Sequence, residues 1–140
     1  MITLEKILKG MCAFIGGILG YTFGGFDSLI KTLLIFMVLD YISGVMGAYY
    51  SNNLSSNKGF KGILKKIMTL AVIALANMID KNLIGSDSTI RTMCIMFYIS
   101  NEAISILENA RLLKIPIPEK LKKLIEHFYQ ENKWFLLFAF

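Results

Sequence analysis

Asp40, Asp80, Glu102 and Glu108 stand in or beside stretches that are otherwise strongly apolar. An ionised carboxylate in such a setting is costly, so it is expected to face protein, water or a partner. Asp40 falls near the middle of Leu29–Tyr50, on a helical face that continues through Ser43 and Gly47, with Gly44 adjacent. That face is small and polar. Tyr98, Asn101, Ser105 and Glu108 fall at i, i+3, i+7 and i+10, one stripe of a helix, with Glu102 beside it. Thr69, Ala76, Asn77 and Asp80 form another such face. Two arrangements stay open: the faces satisfy one another inside a closed helical unit, or they line water between protomers.

Reaction chemistry is not apparent. The carboxylates lie on different segments, there is one histidine, His127, and no paired Ser/His/Asp set or glycine-rich phosphate loop follows a strand. Cys12 and Cys94 are too sparse for a metal spacing and read as small buried hydrophobes. The expectation is no enzyme, no cofactor and no metal. A second kind of pattern concerns packing. Gly16, Gly20 and Gly24 form two overlapping small-xxx-small repeats. Such a row lets helix backbones approach closely in lipid, which predicts self-association.

The elements that must position these residues are four apolar stretches, Gly10–Phe26, Leu29–Tyr50, Ile67–Leu83 and Ile90–Leu107. Spanning the ~30 Å hydrocarbon core takes roughly 20 helical residues. They lack the period-2 alternation of barrel strands. Leu33–Leu39 and Met68–Ala76 carry no charge at all, whereas a soluble bundle would show one every turn or so. Hydrophobic content of 55% and only 2 prolines in 140 residues exclude a disordered or collagen-like chain. Lys6 and Lys9 precede an apolar run as in a signal peptide, but Tyr21-Thr22-Phe23-Gly24-Gly25 offers no cleavage site, so a retained span is expected. The fold class predicted is an all-α integral membrane protein of four transmembrane helices, residues 1–110, with a C-terminal amphipathic tail, 111–140.

Charge sets the orientation. With four spans, twelve Lys and Arg fall in the N-terminal, central and C-terminal segments and three in the other two links. The positive-inside bias places both termini of a multi-pass protein in the cytoplasm. Lys58, Lys61, Lys65 and Lys66 belong to the polar central link, read as membrane-surface positives. Pro116 and Pro118 end any helix before a new one from Glu119, where Leu121, Leu124, Ile125, Phe128 and Tyr129 alternate with Lys120, Lys122 and Lys123. A basic amphipathic helix of this kind lies on an anionic membrane face or packs on a partner. The apolar ending Trp134–Phe140 is too short to span. The net charge of +5 sits where topology would put it and does not argue for nucleic acid.

Four blocks in order then become recognisable. Leu39-Asp-Tyr-Ile-Ser-Gly-Val-Met-Gly-Ala-Tyr49, Ser55-Ser-Asn-Lys-Gly-Phe-Lys-Gly-Ile-Leu-Lys-Lys66, Arg91 to Ala110 and Ile115-Pro-Ile-Pro-Glu-Lys-Leu-Lys-Lys123 resemble the toxin-secretion/phage-lysis holin family. The first span and the aromatic ending match only in character. The resemblance implies a protein that accumulates in the bacterial cytoplasmic membrane and then assembles with copies of itself into holes. Through these an endolysin, or a large protein toxin, leaves the cell. Two other classes fit the bare pattern: a small proton-coupled four-helix transporter using Asp40, and a membrane scaffold recruiting a partner through its basic tail.

Overall fold

The computed structural model describes residues 3–85 and 88–131, and among these there are helices and no strands. Helix α1 runs Leu4–Phe23, α2 Ser28–Tyr50, α3 Ser56–Ile79, α4 Thr89–Leu112 and α5 Glu119–Glu131. A π-helical turn, Asp80–Ile84, extends α3 before Gly85 ends it in the left-handed conformation. Expectations for Trp134–Phe140, and for the side chains of Ile125, Phe128 and Tyr129, lie outside the described residues.

Local chemistry accounts for the boundaries. The Asp27 side chain accepts from Ile30 N at 3.1 Å and opens α2, and Ser55 does the same for Lys58 N at 3.5 Å at the start of α3. Gly24, at φ 77, takes the left-handed turn that closes α1. α4 stops at Leu112, ahead of Pro116, and α5 begins where expected, at Glu119. The third span differs most from expectation: its helix starts at Ser56, not near Ile67. The cap at Ser55 outweighs the local polarity, so Lys58, Lys61, Lys65 and Lys66 ride on helical turns instead of a loop.

Three helices are long and apolar enough to cross a membrane: Ser28–Tyr50, Ser56–Ile84 and Thr89–Leu112. α1 is not among them. Glu5, Lys6 and Lys9 occupy its first two turns and it closes at Phe23, not Phe26. That leaves ~21 Å of uncharged helix at 1.5 Å per residue, against a core of ~30 Å.

α2, α3 and α4 form a three-helix bundle, α3 antiparallel to the other two. Spans three and four are thus two helices joined by a short link, not one broken element. The apolar core is small and confined to one half of the bundle: Ile30, Leu33 and Met37 of α2, Ile73 and Ala76 of α3, Ile95 of α4. The outside is apolar instead, with Phe14 71%, Tyr49 75% and Met68 64% exposed. Large exposed apolar surface outside and polar groups inside is the polarity expected of a chain whose solvent is lipid.

Candidate functional site: two polar clusters in one bundle

The first cluster closes the packed end of the bundle. Arg91, 2% exposed, donates through Nε to Phe23 O, through a terminal nitrogen to Gly25 O at 3.2 Å, and to both carboxylate oxygens of Asp27 at 2.9 and 3.2 Å. This bidentate fork ties α4 to the α1–α2 turn. The guanidinium holds the Asp27 carboxyl below its usual value of 3.8. Asn77 of α3 donates to Tyr21 O and Thr22 O at 3.1 and 2.9 Å, so the end of α1 is hooked onto α3 as well.

Asp80 belongs to this cluster, so of the two arrangements left open for its face it takes the one inside the helical unit. It is fully buried and accepts from Ile90 N at 3.2 Å and Arg91 N at 2.8 Å. It therefore caps α4 from another helix, in place of Ser88, whose side chain makes no cap bond. Gly24 needs a correction. A Cβ there would lie 2.5 Å from Asn77 Oδ1 and 2.9 Å from Arg91 Nε, so this glycine serves the turn and not an open packing row. Gly16 and Gly20 meet nothing within 4 Å, and α1 buries no residue along its length.

The second cluster lies at mid-bundle. Lys66 Nζ of α3 reaches Asp40 Oδ2 of α2 and Glu102 Oε2 of α4, each at 2.6 Å. The three side chains are 18%, 15% and 12% exposed. Asn109 Nδ2 of α4 donates to Asp40 Oδ1 and to Asp40 O, both at 3.2 Å, and to Ser43 Oγ at 3.0 Å. Ser43 in turn donates to Asp40 O at 3.1 Å. Asp40 and Glu102 thus face protein, and their partner is a lysine from the set assigned to the membrane surface. Lys66 leaves that set because α3 starts early enough to carry it between α2 and α4.

Beyond this triad the bundle opens. α2 and α4 stay close, since Gly44 and Gly47 let Asn109 and Leu112 approach: a Cβ on either glycine would meet them at 3.5 Å. α3 diverges from both. A cavity of about 1020 Å³ fills the wedge between the three helices, toward the α2–α3 turn. Tyr98, Asn101, Ser105 and Glu108, the stripe seen in the sequence, all line it, as do Lys58 and Lys65. Tyr41, Phe97 and Tyr98 add aromatic wall. Lys61, and Lys120, Lys122 and Lys123 of α5, are exposed. Among the described residues no group of His, Cys, Asp or Glu is placed to hold a metal ion.

The residues that sequence reasoning missed are those whose partners are remote. Arg91 and Asn109 each act across more than 60 positions. The signal available for Arg91 was a charge inside an apolar span, which is itself informative, whereas Asn109 lies just past the expected end of that span.

A model of the bacteriophage holin family matches residues 17–130. The chain belongs to that family. An uncharacterized protein of Listeria monocytogenes is 49% identical over 123 residues, covering 87% of this chain and 86% of the relative. An uncharacterized 14.9 kDa protein from the nagH 3′ region of Clostridium perfringens is 44% identical over 126 residues, 90% of this chain and 96% of its own. The uncharacterized protein YtkC of Bacillus subtilis is 36% identical over 107 residues, 76% and 79%. No solved structure matches the chain. Membership points to a holin-like, non-enzymatic membrane protein, and the matched residues take in both polar clusters of this holin-family bundle.

Proposed function

We propose that this protein is a holin that oligomerises in the bacterial cytoplasmic membrane and opens holes through which an endolysin, or a large protein toxin, escapes. The observation that carries the reading is the family match across residues 17–130, which spans the whole bundle. The architecture supports it: exteriors are apolar, and the polar faces of α2 and α4 are gathered on an open wedge where they can line water once protomers meet.

The topology that goes with this reading has four spans and both termini in the cytoplasm. α1 is short for the hydrocarbon core, but Lys6 and Lys9 can extend their charged ends along the helix to the interface. The α2–α3 turn, α5 and the positives of the first two turns of α1 then share the cytoplasmic side. Partners are other copies of the chain and the lipid itself, with Lys120, Lys122 and Lys123 of α5 each adding ~1 kcal/mol of attraction to anionic lipid.

The deciding experiment is induced expression in a bacterium with and without a cytoplasmic endolysin. Lysis after a lag, abrupt, endolysin-dependent and later at lower expression, is the expected result. The transporter reading draws on one observation, the aromatic wall of Tyr41, Phe97 and Tyr98 around Asp40 and Glu102. It takes over if induction gives dye resistance or solute uptake at intact membrane potential and never releases protein.

A further inference from the structure

The bundle is packed at one end and open at the other, and the Asp40–Lys66–Glu102 triad stands within the open wedge, whose lining runs from Val72 and Phe97 to Ser55 and Asn109. The buried apolar residues all lie on the α1-turn side of the Asp40–Lys66–Glu102 triad. There α3 is held by several groups at once, through Asn77 to α1 and through Asp80 to the amides of α4. On the other side α2 and α4 remain in contact through Gly44, Gly47, Asn109 and Leu112. The N-terminal half of α3 does not follow them: the cavity of about 1020 Å³ separates it from both. Among the described residues, the hydrogen bonds that tie this half of α3 to its neighbours are the two from Lys66. Tyr41 also comes near it: its hydroxyl would lie 3.4 Å from a Cβ on Gly59.

We propose that α3 is a lever pivoting on its Asn77–Asp80 end, and that Lys66 is the latch that keeps the polar faces of α2 and α4 closed until the hole forms. The inference rests on the holin reading and names its moving part. Two carboxylates share one ammonium, so withdrawing Lys66 leaves Asp40 and Glu102 facing each other as like charges, a state that water or a neighbouring protomer must relieve. The same withdrawal frees α3 to swing further from the stripe of Asn101, Ser105 and Glu108, which already lines the cavity. No residue of the packed half needs to move. A buried charge pair adds little net stability once its desolvation is counted, which leaves it free to act as a two-position switch.

The test uses the full chain with Cys12 and Cys94 replaced by serine, expressed with an endolysin. Lys66→Met removes the ammonium and keeps the aliphatic stem; lysis is expected earlier than in the parent at equal membrane content. Lys66→Arg keeps a cation that can bridge both acids and restores the parental lag. A second measurement holds if Lys66→Met fails to accumulate. Tyr41→Cys with Gly59→Cys, joined across the wedge by a membrane-permeant bifunctional methanethiosulfonate, clamps α3 to α2. The clamped protein is expected not to lyse cells until a reductant cleaves the linker. Lysis on the parental schedule with the clamp in place overturns the lever, and an unchanged lag in an accumulating Lys66→Met overturns the latch. A parent that never releases protein overturns the holin reading itself, a distinct outcome from a parent that lyses cells regardless of Lys66 and the clamp.

Discussion

At the scale of single residues, the two polar clusters differ in what they are for. Asp40 and Glu102 sit where insertion into lipid would cost ~2.5–3.5 kcal/mol each at a helix centre. Their pairing with Lys66 offsets part of that cost and makes each acid sensitive to its partner. Asp40→Asn and Glu102→Gln are therefore expected to insert normally and to change lysis timing. Parental timing in both would show that neither charge matters. Asp27 makes a prediction of another kind. Its hydrogen bonds and charge pairing with Arg91 depress its pKa below 3.8 in the folded protein. A depressed carboxylate contributes stability at pH values above its unfolded value, and that contribution is lost as pH falls through the lower, folded value. The unfolding temperature of detergent-solubilised parent should exceed that of Asp27→Asn at neutral pH. The gap should narrow as pH is taken below 3.8, and a gap independent of pH would argue against the pairing.

At the scale of elements, α1 is the odd member. It is attached by its last turn and leaves Gly16 and Gly20 uncovered. The chain's own packing does not use this face, which is what a contact between copies requires. Gly20→Leu is expected to shift a crosslinked ladder toward monomer and to delay or abolish lysis while leaving the monomer's thermal stability unchanged. Gly24→Ala is expected to do the reverse. A left-handed backbone at φ 77 costs a non-glycine residue ~1–2 kcal/mol, and the added Cβ also crowds Asn77. The comparison separates a packing glycine from a conformational one. Equal loss of thermal stability in both variants would undo the distinction. α5 presents Leu121 and Leu124 exposed beside its lysines, a surface that suits either an anionic membrane face or a partner helix.

At the scale of the whole molecule, topology is the quantity that connects fold to activity. Cysteines at Asn53, in the α2–α3 turn, and at Thr89, at the start of α4, lie at opposite ends of the bundle. In a cysteine-free background, an impermeant thiol reagent added outside intact cells should label Thr89→Cys and spare Asn53→Cys. Equal labelling of both sites would sink the orientation. A cysteine at Thr3, just ahead of α1, answers the question of α1: protection from the same reagent means that α1 crosses.

Much was legible in the sequence because lipid imposes a one-dimensional rule. A helix in a bilayer must be long and apolar, and whatever polar residue it carries must have a reason, so the all-helical class, three of the four expected spanning helices and the polar stripe of Tyr98, Asn101, Ser105 and Glu108 could be read without coordinates. Helix starts set by a single cap were less legible: Ser55 moved the beginning of α3 by about three turns and carried Lys66 from the surface into the bundle. Partnership was not legible at all. Nothing local in the chain says that Asp80 would cap α4, that Arg91 would grip the α1–α2 turn, or that Lys66 would choose both Asp40 and Glu102. The sequence by itself determined which residues could not face lipid, because that is a property of each side chain and its depth. Only the tertiary structure decided which of them face one another, because that depends on helix register and on the divergence of α3, and neither is written in any one segment.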